Sequence, residues 1–131
     1  MTTKTANPRP ALLRRIRSFY DMLNERKFEQ CHKMIDPRIL ASSGSVTLFQ
    51  YENALQQFGD RFGLLNVQEI ELTLHLDEPS KLYEGRDFAV GKAIVLDGSG
   101  QCHVFLERWV REGRSWYTRS TGFVTPASSF E

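Results

Sequence analysis

The chain has 131 residues, 40% hydrophobic and 25% charged, with a formal net charge of +1. This is the composition of an ordinary globular domain, and it excludes intrinsic disorder and a membrane protein. Near-neutral charge supplies no electrostatic drive toward nucleic acid or an anionic membrane, no apolar run reaches the ~18 residues of a span, and the N-terminal MTTKTANPRP lacks the apolar core of a secretory signal. A cytoplasmic protein with no nucleic-acid or membrane partner is therefore expected.

Residues 1–10 read as a polar tail, residues 11–124 as one domain and residues 125–131 as a second tail. Between 11 and 26 the apolar positions Leu12, Leu13, Ile16, Phe19, Tyr20 and Leu23 recur at helical spacing. Arg14, Arg15 and Arg17 fill much of the other face, which is a basic patch or, with Asp21 and Glu25 nearby, a solvated helix surface. A shorter helix is predicted over 28–35 with Phe28, Cys31 and Ile35 inward, stopped by Asp36-Pro37. Residues 38–46 hold a turn and one short edge strand around 39–41. Thr47 and Gln50 form a capping box for a third helix that carries Leu48, Tyr51, Leu55, Phe58 and Phe62.

After Gly63 the period changes from 3.6 to 2. Ile70, Leu72, Leu74 and Leu76 alternate with Glu69, Glu71, Thr73 and His75, the pattern of a strand with one wet face over 66–77. A second strand is predicted over 84–96, with Asp97-Gly98-Ser99-Gly100 turning it into a third over 101–111. A last hairpin leads to a fourth strand over 115–124. Gly91, in mid-strand, suggests a bulge or a close approach by another element. Ala89, Gly91 and Ala93 leave a flat strip of small side chains suited to close packing of another sheet or subunit; extended by Val104, Leu106, Val110 and Trp116 it reads as an apolar face covered by a second subunit, or else as a solvated face with scattered apolar residues.

The most chemically mixed stretch is FLERWVREGRSWYTRSTGF. If its turn is the three-residue loop Glu112-Gly113-Arg114, Trp109 faces Tyr117 and Glu107 faces Arg119 across the strands. His103, Phe105, Glu107, Trp109, Tyr117, Arg119, Thr121 and Phe123 then share one face; a two-residue loop breaks this grouping, because a one-residue slip reverses the face. Glu107 and His103 are the acid-base candidates, with Arg119 as an anchor for an anionic ligand or simply the partner of Glu107 in a cross-strand ion pair. Phe19, Tyr20 and Phe58, from the helices, join these residues as pocket candidates. His32, His75 and His103 fall on separate elements without ligand spacing, so no metal and no cofactor is expected. Cys31 and Cys102, also on separate elements, are expected to be reduced thiols.

The helix ending Phe19-Tyr20-Asp21-Met22-Leu23-Asn24, the segment from Phe28 to Asp36-Pro37 and the closing pair FLERWVREGRSWYTRS resemble the nuclear transport factor 2-like superfamily over most of residues 11–124. That superfamily includes ketosteroid isomerase, scytalone dehydratase and the SnoaL-like cyclases. The resemblance implies an α+β fold in which three helices pack on the concave face of a curved, mostly antiparallel sheet and close a cone-shaped pocket, and it implies a homodimer through the convex face. It places the isomerase's oxyanion tyrosine on Phe19, its general base near Ala41 or Ser42, and its acid on Glu107, so two of the three roles are vacant and steroid isomerisation is not expected. A dehydratase-like site would use His103 with Glu107 or His32 with Asp36. Two functions follow as expectations: a metal-independent lyase, isomerase or cyclase acting on an unknown small molecule, or a non-catalytic ligand-binding or dimerising module.

Overall fold

The computed structural model describes residues 7–42, 47–77 and 82–120. The pocket candidates Thr121 and Phe123, and the far part of the last predicted strand, lie outside the described residues. Helix α1 (Arg9–Asn24) buries Leu12, Ile16, Phe19, Tyr20 and Leu23, the stripe expected from the sequence. A proline sits in its first turn, where a missing amide proton forfeits no helical hydrogen bond.

Helix α2 (Phe28–His32) is shorter than predicted. Ile35 leaves the helix to form a parallel bridge with Thr118. The Thr118 amide donates to the Met34 carbonyl at 2.8 Å, and the Asp36 amide donates to the Thr118 carbonyl at 2.9 Å. These two bonds to an edge strand hold the backbone extended where helical periodicity alone favoured another turn. The strand expected around 39–41 is instead helix α3 (Pro37–Leu40). Asp36 caps it by accepting from the Arg38 amide at 3.1 Å, and Pro37 presets the dihedral of its first residue. Helix α4 (Leu48–Phe62) has the expected capping box and buries Tyr51, Leu55, Phe58 and Phe62. Gly63 ends it at φ 68° and ψ −154°, a region essentially confined to glycine.

Strands β1 (Asn66–His75), β2 (Phe88–Leu96), β3 (Cys102–Glu112) and β4 (Ser115–Thr118) form a curved antiparallel sheet in the order β1-β2-β3-β4. The helices and this sheet make an α+β fold, with four α-helices among the described residues where three were expected. A bulge between Val67 and Glu69 keeps Val67 and Ile70 on the same face in spite of their odd spacing, so both pack on the core.

The strip Ala89, Gly91, Ala93 faces inward, which corrects its assignment to a subunit contact. Its partners across the ladder are Trp109, Glu107 and Phe105, all buried. Small residues on β2 leave depth for large ones on β3, which is how close packing is reached between unequal neighbours. Gly91 is a close approach rather than a bulge: a Cβ there would sit 3.2 Å from a Leu72 methyl.

The second strand begins four residues later than predicted. Residues Leu82–Gly85 form a short turn in which Tyr83 and Glu84 both have positive φ, 55° and 57°. Tyr83 lies against Phe88 at 5.2 Å, with the Arg119 guanidinium 4.9 Å from its ring and Arg108 bonded to its hydroxyl at 3.2 Å. Phe88, on which His75 also stacks at 4.5 Å, and its ladder partner Val110 are buried at this end of the outer sheet face.

Candidate functional site

Glu107 projects from β3 into the space between α1 and the sheet and is 8% exposed. Trp109, two residues along the same face, donates from Nε1 to Glu107 Oε1 at 2.7 Å. The Tyr20 hydroxyl donates to Oε2. Tyr20 thus turns inward beside Phe19, the position on which the resemblance places the isomerase's tyrosine. A core-facing helical stripe is more than 100° wide, so neighbours can both point inward. Phe19 and Tyr20 do so, and Phe19 meets Trp109 edge to face at 6.1 Å.

Burial pushes the Glu107 carboxyl up from its ordinary value, while the hydrogen bonds from Tyr20 and Trp109 pull the other way. Burial, reinforced by the Glu107 charge and hydrogen bond, holds the Tyr20 hydroxyl well above its ordinary value, so Tyr20 remains a proton donor. Both oxygens of a buried carboxylate are therefore satisfied by fixed donors.

His103 shares the inner face of β3 but does not pair with Glu107. Its Nε2 lies 2.8 Å from Asp97 Oδ2, and Phe62 packs against its ring at 5.0 Å. Asp97 also accepts from the Ser99 hydroxyl at 2.7 Å, the Ser99 amide at 2.8 Å and the Gln101 amide at 3.0 Å. Bonds from Ser99 and then from His103 hold its carboxyl below the ordinary range. The pair thus braces the β2–β3 turn. The other proposed histidine pairing also fails, because His32 lies edge-on to Tyr51 at 5.3 Å and Asp36 is engaged elsewhere.

The predicted register of the last hairpin is off by one. Glu112 pairs with Ser115, leaving the two-residue turn Gly113-Arg114, and Trp109 pairs with Thr118. Gly113, at φ 64°, supplies the positive φ that a two-residue turn with glycine first requires. The slip sends Trp116 inward, where it is buried, and Tyr117 to the opposite face, where Arg15 lies 5.2 Å over its ring. Phe105 and Phe58 stay inside with ring centroids 5.7 Å apart.

Arg119 leaves Glu107 for Asp36, donating to Oδ2 at 2.7 Å. Arg86 grips the same fully buried carboxylate with two parallel bonds of 2.8 Å. Arg86 also reaches Glu84 and Glu112, each at 3.0 Å, and Arg38 bridges the same two acids at 3.2 and 3.0 Å. Burial alone would raise the Asp36 carboxyl, but bonds from Arg86, Arg119 and the Arg38 amide bring it down to about 2. In the sequence Asp36 reads only as the residue before a proline. Its partners lie 50 and 83 positions away, so no local pattern marks the cluster.

Two recesses open between α1 and the chain around Leu65. The smaller, about 140 Å³, is lined by Leu23, Phe58, Gly59 and Gly63 among others, and the larger, about 290 Å³, by Arg17, Tyr20, Asp21, Asn66 and Val67; Asn24 and Leu65 belong to both. Asn24 fixes this shared wall by donating to the Leu65 carbonyl and accepting from its amide, each at 2.8 Å. Asn24→Ala orphans both peptide groups and is expected to cost about 1 to 3 kcal/mol, measured by urea denaturation. A cost within error of zero would mean that water replaces the amide.

Among the described residues no group of three or more His, Cys, Asp or Glu side chains is placed to hold a metal ion, and no helix is long and apolar enough to cross a membrane. Both cysteines are free, and burial pushes the Cys31 thiol up to about 12. Comparison with protein-family models, curated proteins and solved structures found no match.

Proposed function

We propose that this chain is a non-catalytic module of the nuclear transport factor 2-like kind that dimerises through the outer face of its sheet. The observation that supports this reading is that both acid-base candidates are engaged by the protein's own side chains. General acid-base catalysis needs a group within hydrogen-bond reach of a substrate proton. Glu107, the best candidate, has one oxygen on Tyr20 and the other on Trp109, and His103 is bound to Asp97. The rings of Phe19, Tyr20, Phe105 and Trp109 are buried around Glu107, in the volume a substrate would need.

The outer face suits association better. Val90, Ile94 and Val104 are half-buried there, Leu106 is 38% exposed, and Glu71, Lys92 and Arg108 lie among them. An apolar stripe with interspersed charges is the composition of an isologous contact. Light scattering at micromolar concentration should give about twice the chain mass of 15.1 kDa for the native chain and about one chain mass for Leu106→Arg. The variant should keep a native-like circular dichroism spectrum and a cooperative melt, because the substitution is at the surface, with the midpoint lowered only by loss of the dimer's mass-action stabilisation. A native chain that is monomeric under these conditions sinks the dimer reading.

A further inference from the structure

We infer that the free edge of β1 pairs with the β1 edge of a second copy of this chain, antiparallel and about a two-fold axis at Leu72, so that two sheets continue as one.

In the order β1-β2-β3-β4, β1 is an edge strand, and the ladder shows which of its peptide groups are open. Along an antiparallel pair, successive residues turn their N–H and C=O groups to opposite sides. The Arg111 amide donates to the Asp87 carbonyl at 2.9 Å, which sets the phase. Two residues further along each strand Ala89 and Trp109 bond each other, so Val90, on the other side of β2, bonds Thr73. Ile70, Leu72 and Leu74 therefore present their backbone groups away from β2. Among the described residues one bond from outside the sheet reaches these groups, from Arg9 Nη1 to the Leu72 carbonyl at 2.9 Å. It agrees with the phase, and it leaves the second lone pair of that carbonyl for an amide.

An open row of peptide groups is a template for another strand, and the side chains of β1 suit a second copy. With Leu72 opposite Leu72, Ile70 faces Leu74, Glu71 faces Thr73 and Glu69 faces His75. All three open residues are then used. Ile70, Leu72 and Leu74 are half-buried on the core side, so apolar meets apolar there, and on the outer side no like charges stand directly opposite. Moving the axis by one residue opposes Glu71 to itself in one direction and sets Glu69 against Asp77 in the other, and like charges directly opposite are destabilising. The contact uses a backbone edge, whereas the proposed dimer uses side chains of the outer face, so either forms without the other. It is short and should be the weaker of the two.

Leu106→Arg, which removes the outer contact, isolates the edge. Sedimentation and amide chemical shifts of this variant, followed from about 20 μM to about 1 mM, should show self-association with concentration-dependent shifts at Ile70, Leu72 and Leu74. If the native chain is itself monomeric at micromolar concentration, the same titration is made on it, so failure of the outer-face reading leaves this test intact. Thr73→Lys sets a cation opposite Glu71 twice per pair of chains and should tighten the association about fivefold, and Thr73→Glu should weaken it by a similar factor. Thr73 is exposed, so both variants should keep the dispersed spectrum of the parent chain. Absence of concentration-dependent shifts at the three open residues would overturn the pairing. Equal weakening by Thr73→Lys and Thr73→Glu would overturn the axis at Leu72.

Discussion

Asp36→Ala is expected to destabilise the fold by about 3 to 5 kcal/mol, the cost of removing one partner from a buried ion pair and leaving the other uncompensated. Arg86 is the group left behind, with its side chain 8% exposed. It retains Glu84 and Glu112, but these are 62% and 35% exposed and cannot replace a carboxylate that held two of its nitrogens inside the protein. The variant also loses the cap of α3 and the anchor of Arg119. Asp36→Asn keeps the acceptor for the Arg38 amide and part of the contact with Arg86, so its cost should be smaller. The pH dependence follows from the direction of the shift. A carboxyl held at about 2, below its unfolded value of about 3.9, contributes stability above the unfolded value and loses it as pH falls toward 2. Urea denaturation should therefore show the gap between the native chain and Asp36→Asn narrowing from pH 7 to pH 3. A gap that is constant over this range would mean that Asp36 acts through its shape rather than its charge.

The cluster around Asp36 also marks where sequence reasoning stopped. Elements set by their own periodicity were legible: the buried stripe of α1, the capping box of α4 at Thr47 and Gln50, and the alternation of β1. Elements set by a distant partner were not. Ile35 was expected to end the helix begun at Phe28, yet the chain leaves it after a turn at 33–34 because Thr118 offers two backbone bonds, one to Met34 and one to Asp36. An edge strand was expected around 39–41, yet the Asp36 cap and Pro37 wind Pro37–Leu40 into a turn of helix. In the last hairpin a single residue in the turn decided the outcome. Alternation alone places Trp109, Glu107 and Phe105 on one face, but it is silent on the loop length that sets which residues of β4 join them.

Of the candidate residues, Glu107, Trp109, Phe105, Phe19, Tyr20 and Phe58 do converge inside the cone, whereas Tyr117 and Arg119 do not. Glu107 was identifiable as an inward carboxylate on a strand. Its bond from Tyr20 was not, because Tyr20 is 87 residues away on another element and no local pattern joins the two. The small residues of β2 opposite β3 admit the large rings of Phe105 and Trp109, which are buried with Phe19 and Tyr20 around Glu107.

Glu107→Ala should cost about 3 to 5 kcal/mol, since it leaves the hydroxyl of Tyr20 and the indole N–H of Trp109 buried without an acceptor and opens a void between them. Glu107→Gln should behave differently. Its carbonyl can accept from Trp109 and its amide can donate to the oxygen of Tyr20, which keeps both contacts, the second reversed with the Tyr20 proton losing its acceptor, and nothing is left to ionise. The sign of the pH effect is opposite to that at Asp36. The Glu107 carboxyl is raised in the folded chain, so its stability contribution is full below the unfolded value of about 4.3 and declines as pH rises through the folded value. The native chain should therefore lose stability relative to Glu107→Gln between acid and neutral pH, and the glutamine variant should be within about 1 kcal/mol of it at pH 4, where the native carboxyl is mostly protonated. Urea denaturation of the three proteins from pH 4 to pH 8 reads both effects. If Glu107→Gln is as damaging as Glu107→Ala at every pH, the site depends on a carboxylate charge, and the account of Glu107 as a satisfied structural acid fails. If it is mild and its stability is flat with pH, Tyr20, Glu107 and Trp109 form a neutral buried network whose work is to hold α1 on the sheet.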